Sequence, residues 1–183
     1  RKFPGTVFLR ALGLETNEQI LRQFYTAVPL TIEGGGVYRL GIGPEVLEQE
    51  RLRERSSRGV RHSYNVFAGL TLDETAVELL DAGDPVGAEV GLQELEPALL
   101  IADVVDTDTG EVLLEANEPV PEDLDERLDG RSHSELEVFF PDWALCGATI
   151  SNTLAKDATR DAKEAQIEIY RRMRPGDPPT HES

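Results

Sequence analysis

All of the excess negative charge in this 183-residue chain lies between residues 26 and 147, and that asymmetry limits what the chain can fold into and meet. The middle stretch holds 8 Lys and Arg against 27 Asp and Glu, giving −19. The two flanks together hold 10 against 8, giving +2, so that the whole chain stands at −17. A middle so charged is pushed away from any polyanion, while the flanks remain compatible with one. The plainer account is that the acidic surface only keeps a module soluble.

The length suits one mid-sized domain or two small ones, and the aliphatic residues are numerous enough to build a core. Cys146 is the single cysteine, so no internal disulfide can form, and a reducing, cytoplasmic setting is expected. No run approaches the ~18 consecutive apolar residues of a membrane span, and no secretion signal is visible. The chain opens at Arg1 without a methionine and ends in Arg174-Pro175-Gly176-Asp177-Pro178-Pro179-Thr180. Both ends read as cut, which leads us to expect an excised fragment.

Three zones follow from the local signals. In residues 1–25 an apolar run, Val7-Phe8-Leu9 with Ala11-Leu12, precedes Gly13. Thr16 with Gln19 three residues on then has capping-box spacing, and Ile20, Leu21 and Phe24 supply an apolar helix face. Residues 26–147 read as short strands with two or three helices. Val28–Ile32 and Val37–Leu40 flank Glu33-Gly34-Gly35-Gly36 as a hairpin. Pro44–Arg55 reads as a charged helix with proline in its first turn. Thr71-Leu72-Asp73-Glu74 opens another helix on capping logic, with Val77, Leu79 and Leu80 as its apolar residues and Gly83 at its close. Leu99–Val105 and Glu111–Ala116, separated by Asp106-Thr107-Asp108-Thr109-Gly110, form the strongest hairpin signal. Pro121–Leu128 is a candidate short helix. In the third zone, 148–183, one strong helix is expected near 159–173. Its face is Ala162, Ala165 or Gln166, Ile169 or Tyr170, and Met173, and Arg171, Arg172 and Arg174 crowd its end.

Catalytic and metal chemistry find little purchase. Asp106 to Glu111 has the look of a calcium loop, but glycine falls at position five and Asn117 at twelve, so the spacing fails and a turn is expected. His62, His133, His181 and Cys146 show no metal-ligand spacing, and Cys146 beside Trp143 and Leu145 reads as a buried structural cysteine. Gly34-Gly35-Gly36 and Gly41-Ile42-Gly43 lack the features of a phosphate-binding loop. Phe139, Phe140 and Trp143, among Glu135, Glu137 and Asp142, suit packing of the middle zone's return onto the flanking portion better than a stacking platform for bases. No catalytic residue, metal site or cofactor is expected in this chain.

The flanks carry a resemblance. Arg1-Lys2-Phe3-Pro4-Gly5-Thr6-Val7-Phe8-Leu9-Arg10-Ala11-Leu12-Gly13 is similar to the Arg-Lys-Leu-Pro-x-Thr-x-x-Leu-Arg-Ala-Leu-Gly segment of bacterial RNA polymerase β subunits, and Thr16-Asn17-Glu18-Gln19-Ile20-Leu21 also fits. Ile150-Ser151-Asn152-Thr153-Leu154 resembles the family's Ile-x-x-Thr-Leu. Glu168-Ile169-Tyr170-Arg171-Arg172-Met173-Arg174-Pro175-Gly176-Asp177-Pro178-Pro179-Thr180 resembles its Glu-Ile-Tyr-Arg-x-x-Arg-Pro-Gly-[Glu/Asp]-Pro-Pro-Thr stretch closely. Leu99 to Asn117 is similar to a segment of lobes that carry insertions in other bacteria.

The resemblance implies an α+β fold in two parts. Residues 1–25 and 148–183 would make a mostly helical lobe portion, and 26–147 an acidic, strand-rich inserted module. It further implies a non-catalytic lobe segment bordering the downstream DNA channel of DNA-directed RNA polymerase, a nucleotidyltransferase whose metal-binding aspartates lie on another subunit. Partners would be the rest of β, the other subunits, DNA in the full assembly, and a lineage-specific protein on the insertion. DNA-proximal candidates are Arg1, Lys2, Arg171, Arg172 and Arg174, whose charges would neutralise phosphates. The competing account is that the three C-terminal arginines only complement a helix end and pair with nearby acids. Arg51, Arg53, Arg55, Arg58 and Arg61, interleaved with Glu48, Glu50 and Glu54, read as a self-paired surface. Two further readings differ in class: an independent acidic binding module resembling the β subunit only locally, and a small hydrolase, which no motif supports.

Overall fold

In the computed structural model the residues described are 4–49, 70, 73–128, 135–174 and 176. Their organisation follows from where alternating and helical apolar patterns can be buried together. Strands β1 (Val28–Gly34), β2 (Val37–Ile42) and β3 (Val86–Val90) join β4 (Leu99–Leu100) and β7 (Glu135–Phe139) in one antiparallel sheet of order β3-β2-β1-β7-β4. Side chains alternate faces along a strand, so cross-strand partners line up in rows. Ala88, Leu40, Leu30 and Leu136 form one row across four strands, and Val28, Val138 and Leu100 begin the next. All are buried. Val46, Leu95, Val104, Leu114, Leu124, Leu128, Phe140 and Trp143 belong to the same core.

The expected glycine hairpin is present. Gly34, Gly35 and Gly36 all take positive φ between β1 and β2, a turn conformation that side-chain-bearing residues adopt with strain. The Leu99–Val105 run, expected as one strand, is divided. Leu99-Leu100 joins the large sheet, and Val104-Val105 pairs with β6 (Val112–Leu114) as β5 in a separate two-stranded ribbon. The division falls at Ile101, which leaves the sheet core and enters a second cluster described below. Asp106 Oδ1 accepts the amides of Asp108 and Thr109, so the supposed calcium-like loop is an Asx turn closed by Gly110 at φ 73°.

The ends are helical. Helix α1 (Thr6–Ala11) is followed by α2 (Asn17–Phe24), whose capping box is complete: Gln19 N–H donates to Thr16 Oγ1 at 3.1 Å, and Gln19 Oε1 accepts from Thr16 N at 3.1 Å. Near the other end lie α5 (Thr149–Ala155) and α6 (Ala162–Met173), the latter capped by Asp161 Oδ1 on Glu164 N. Helix α1 packs along α6, and α2 against α5. In the middle, α3 (Glu74–Asp81) is capped by Asp73, two residues after the expected Thr71, because the Asp73 carboxylate reaches Ala76 N at 2.8 Å. Its Val77 and Leu79 are exposed rather than core-facing, and only Ala76 is buried. Helix α4 (Leu124–Leu128) lies within the expected 121–128 stretch. Residues 44–49 are helical, and the remainder of the helix expected to Arg55 lies outside the described residues.

The second cluster marks the seam. Ile20, Leu21 and Tyr25 from the N-terminal side and Leu154 from α5 meet Ile101, Ala116 and Phe139 from the middle. Phe139 stacks on Tyr25 with ring centroids 4.4 Å apart, while its neighbour Phe140 stacks on Trp143 at 4.1 Å in the sheet core. Adjacent residues thus serve two cores: packing against the chain's ends, expected of all three aromatics, is performed by Phe139, whereas Phe140 and Trp143 pack within the sheet core. Cys146 is half-buried at the edge of the second cluster, more accessible than expected.

Candidate nucleic-acid interface

The end helices are joined by a buried ion pair that composition does not reveal. Arg10, 1% exposed, donates through Nη2 to Asp157 Oδ2 at 3.3 Å and to Asn17 Oδ1 at 2.9 Å, and through Nη1 to the Glu15 carbonyl. Asp157 also accepts from Thr6 Oγ1 at 2.6 Å and from the amide and hydroxyl of Thr159. Burial alone would push the Asp157 carboxyl up. The Thr159 and Thr6 donors, with Arg10, outweigh it and hold the group below its ordinary value. The chain near residue 10 is thereby fixed to the turn between α5 and α6, 147 residues away in sequence. Gln166 Nε2 adds a bond to the Ala11 carbonyl at 3.3 Å.

A second polar junction ties the middle to the ends. Tyr25 donates its hydroxyl proton to the Gly147 carbonyl at 2.7 Å and accepts the Ser151 amide at 3.1 Å. Ser151 Oγ donates to Asn117 Oδ1 at 2.6 Å, and Asn117 Nδ2 donates to the Ser151 carbonyl at 3.0 Å. Asn117 holds a left-handed backbone, φ 69°, which asparagine tolerates better than most side chains. Burial pushes the Tyr25 phenol up to about 12.

Arg171, Arg172 and Arg174 are exposed at the last turn of α6. Arg172 pairs with Glu168 one turn back at 2.9 Å, as the helix-end account expects, and the Arg174 guanidinium lies 5.9 Å from the Tyr170 ring centroid. Pro4 and Val7 from the chain's start and Lys156 from the end of α5 share a groove with Arg171 and Arg172. Arg1 and Lys2 lie outside the described residues, as do His62, His133, His181 and the arginines at 51, 53, 55, 58 and 61. Lys156 was not singled out from sequence; a lone lysine at a helix end carries no pattern. Among the described residues no group of three or more metal-binding side chains is placed to hold an ion. Also among them, no helix is long and apolar enough to cross a membrane.

The sequence aligns over 98% of its length with the DNA-directed RNA polymerase subunit β of Koribacter versatilis, at 39% identity over 188 residues. The corresponding subunit of Solibacter usitatus is 38% identical over 98% of the chain, and that of an Anaeromyxobacter strain 35% identical over all of it. The chain belongs to the RNA polymerase β-subunit family. It spans only 12 to 14% of the length of these β subunits. The alignments run through the middle zone as well as the flanks, so the acidic stretch has a counterpart in these β-subunit relatives. No protein-family model matches the sequence.

Proposed function

We propose that this segment forms a lobe beside the downstream DNA channel of a bacterial RNA polymerase. Residues 1–25 and 148–183 would form its DNA-facing portion, and residues 26–147 an acidic inserted module turned away from the duplex. The observation that carries this reading is the agreement of charge with architecture: the acidic stretch 26–147 supplies every strand among the described residues, and the arginines of α6 stand on the helical ends. Phosphate contacts from lysine and arginine supply affinity and orientation without reading bases, which suits a guiding surface. Arg171, Arg172 and Arg174, with Arg1 and Lys2, are the residues proposed to lie near DNA. The segment contributes no catalytic group. It works in the cytoplasm, within the nucleotidyltransferase built from the rest of β and the other subunits, and the acidic module presents a surface to a further protein. Alone, the segment binds duplex weakly, because its net field is repulsive.

Photo-crosslinking in the assembled polymerase on promoter DNA tests this. A crosslinker at position 171 or 174 should form DNA adducts, and one at Val112 or Glu94 should form none. Adducts from the module positions instead would overturn the proposal.

A further inference from the structure

We infer that the groove between the chain's start and α6 is a phosphate-backbone site in which Lys156 acts together with Arg171; this rests on the interface reading above. The groove is walled by Pro4, Val7, Lys156, Glu164, Arg171 and Arg172, among others. Most of its charge is already committed. Asp157 is held by Arg10, Arg172 by Glu168, and Glu164 accepts the Arg160 amide at 2.8 Å. Lys156 and Arg171, both exposed, have no carboxylate partner among the described residues. They come from segments fifteen residues apart and are brought to one surface only by the fold.

Their placement is fixed. Lys156 is the C-cap of α5, its amide bonded to the Thr153 carbonyl at 3.1 Å, and the next residue is the enclosed Asp157. Arg171 projects from a helix packed along α1. Two cations on one surface, without a carboxylate partner among the described residues, can each displace a counterion from a phosphodiester. Glu164 disfavours an anion at one wall, which places the strand nearer Lys156 and Arg171.

The test is equilibrium binding of duplex DNA by the assembled polymerase as a function of salt, with Lys156→Ala, Arg171→Ala, Arg174→Ala and Lys156→Arg in the full-length β subunit. Each lost phosphate contact should reduce the slope of log K against log salt by about 0.9, equivalent to roughly tenfold in affinity near 0.1 M. Lys156→Ala and Arg171→Ala should each do so, and Lys156→Arg should restore the slope. If Arg171→Ala lowers the slope and Lys156→Ala does not, the shared groove is wrong while the interface stands. If none of the alanine variants changes the slope, both fail. A loss of equal factor at every salt concentration would mean that Lys156 acts on assembly, and would also overturn the inference.

Discussion

Asp157→Asn should destabilise the chain by about 3–5 kcal/mol, the usual consequence of removing one partner of an enclosed ion pair. The structure sets that magnitude. The carboxylate takes hydrogen bonds from Thr6 at 2.6 Å, from the Thr159 amide at 2.9 Å, from the Thr159 hydroxyl and from Arg10. Among the described residues Arg10 Nε has no hydrogen-bond partner, and Nη1 and Nη2 also donate to the Glu15 carbonyl and Asn17. The amide leaves a buried guanidinium with neutral acceptors only. Its volume matches the acid, so no cavity contributes. With a urea slope of about 2 kcal/mol per molar, the unfolding midpoint followed by far-UV circular dichroism should fall by about 2 M. Arg10→Met combined with Asp157→Leu removes both charges and should recover most of the loss. The folded Asp157 carboxyl titrates below its ordinary value, so its stabilisation is complete above the unfolded carboxyl pKa of about 3.9 and disappears as pH falls through the lower folded value. Wild-type stability should therefore drop more steeply than that of Asp157→Asn on acidification below about pH 4. A midpoint unchanged within about 0.3 M would refute the clamp, since that is below ~1 kcal/mol.

Tyr25→Phe orphans the buried Ser151 amide and the Gly147 carbonyl and should lower stability by about 1–3 kcal/mol, measurable by thermal unfolding. Tyr25 and Tyr38 are both pushed up to about 12, chiefly by burial, with Asp125 adding to it at Tyr38. Their contribution to stability is whole below the unfolded phenol value of about 10 and is lost as pH rises through the folded value. Spectrophotometric titration should therefore find two late-ionising tyrosines. Phe139→Ala should cost about 3–5 kcal/mol and loosen the junction of α2 with α5. Phe140→Ala should instead shift the emission of Trp143, the chain's single tryptophan, which it stacks upon.

Local chemistry was legible where it acts alone. The Thr16–Gln19 box and the Gly34–Gly36 turn each specify structure within a few residues, and the helical period placed α6, although of its expected face Ala165 is buried and Met173 is exposed. What escaped depended on distant partners. Strand β7 carries a readable alternation, Glu135-Leu136-Glu137-Val138, but its place between β1 and β4 is set by pairing. Ile101 breaks an apparent strand because a second core attracts it. Arg10 resembles any surface arginine until its partner 147 residues away is known, and Asn117 passes for a turn residue until Ser151 meets it. Of the residues proposed to lie near DNA, the α6 arginines were visible as a run. Lys156 was not, because only the fold puts it in one groove with Arg171 and Arg172.

The two ends, clamped by Arg10 and Asp157, should open and close as one body. Hydrogen exchange of the intact chain measures this directly. Amides of α1 and α2 should share a common opening free energy with those of α5 and α6, and Asp157→Asn should lower all four together. Protection of α1 and α2 that persists while α5 and α6 exchange freely would contradict it.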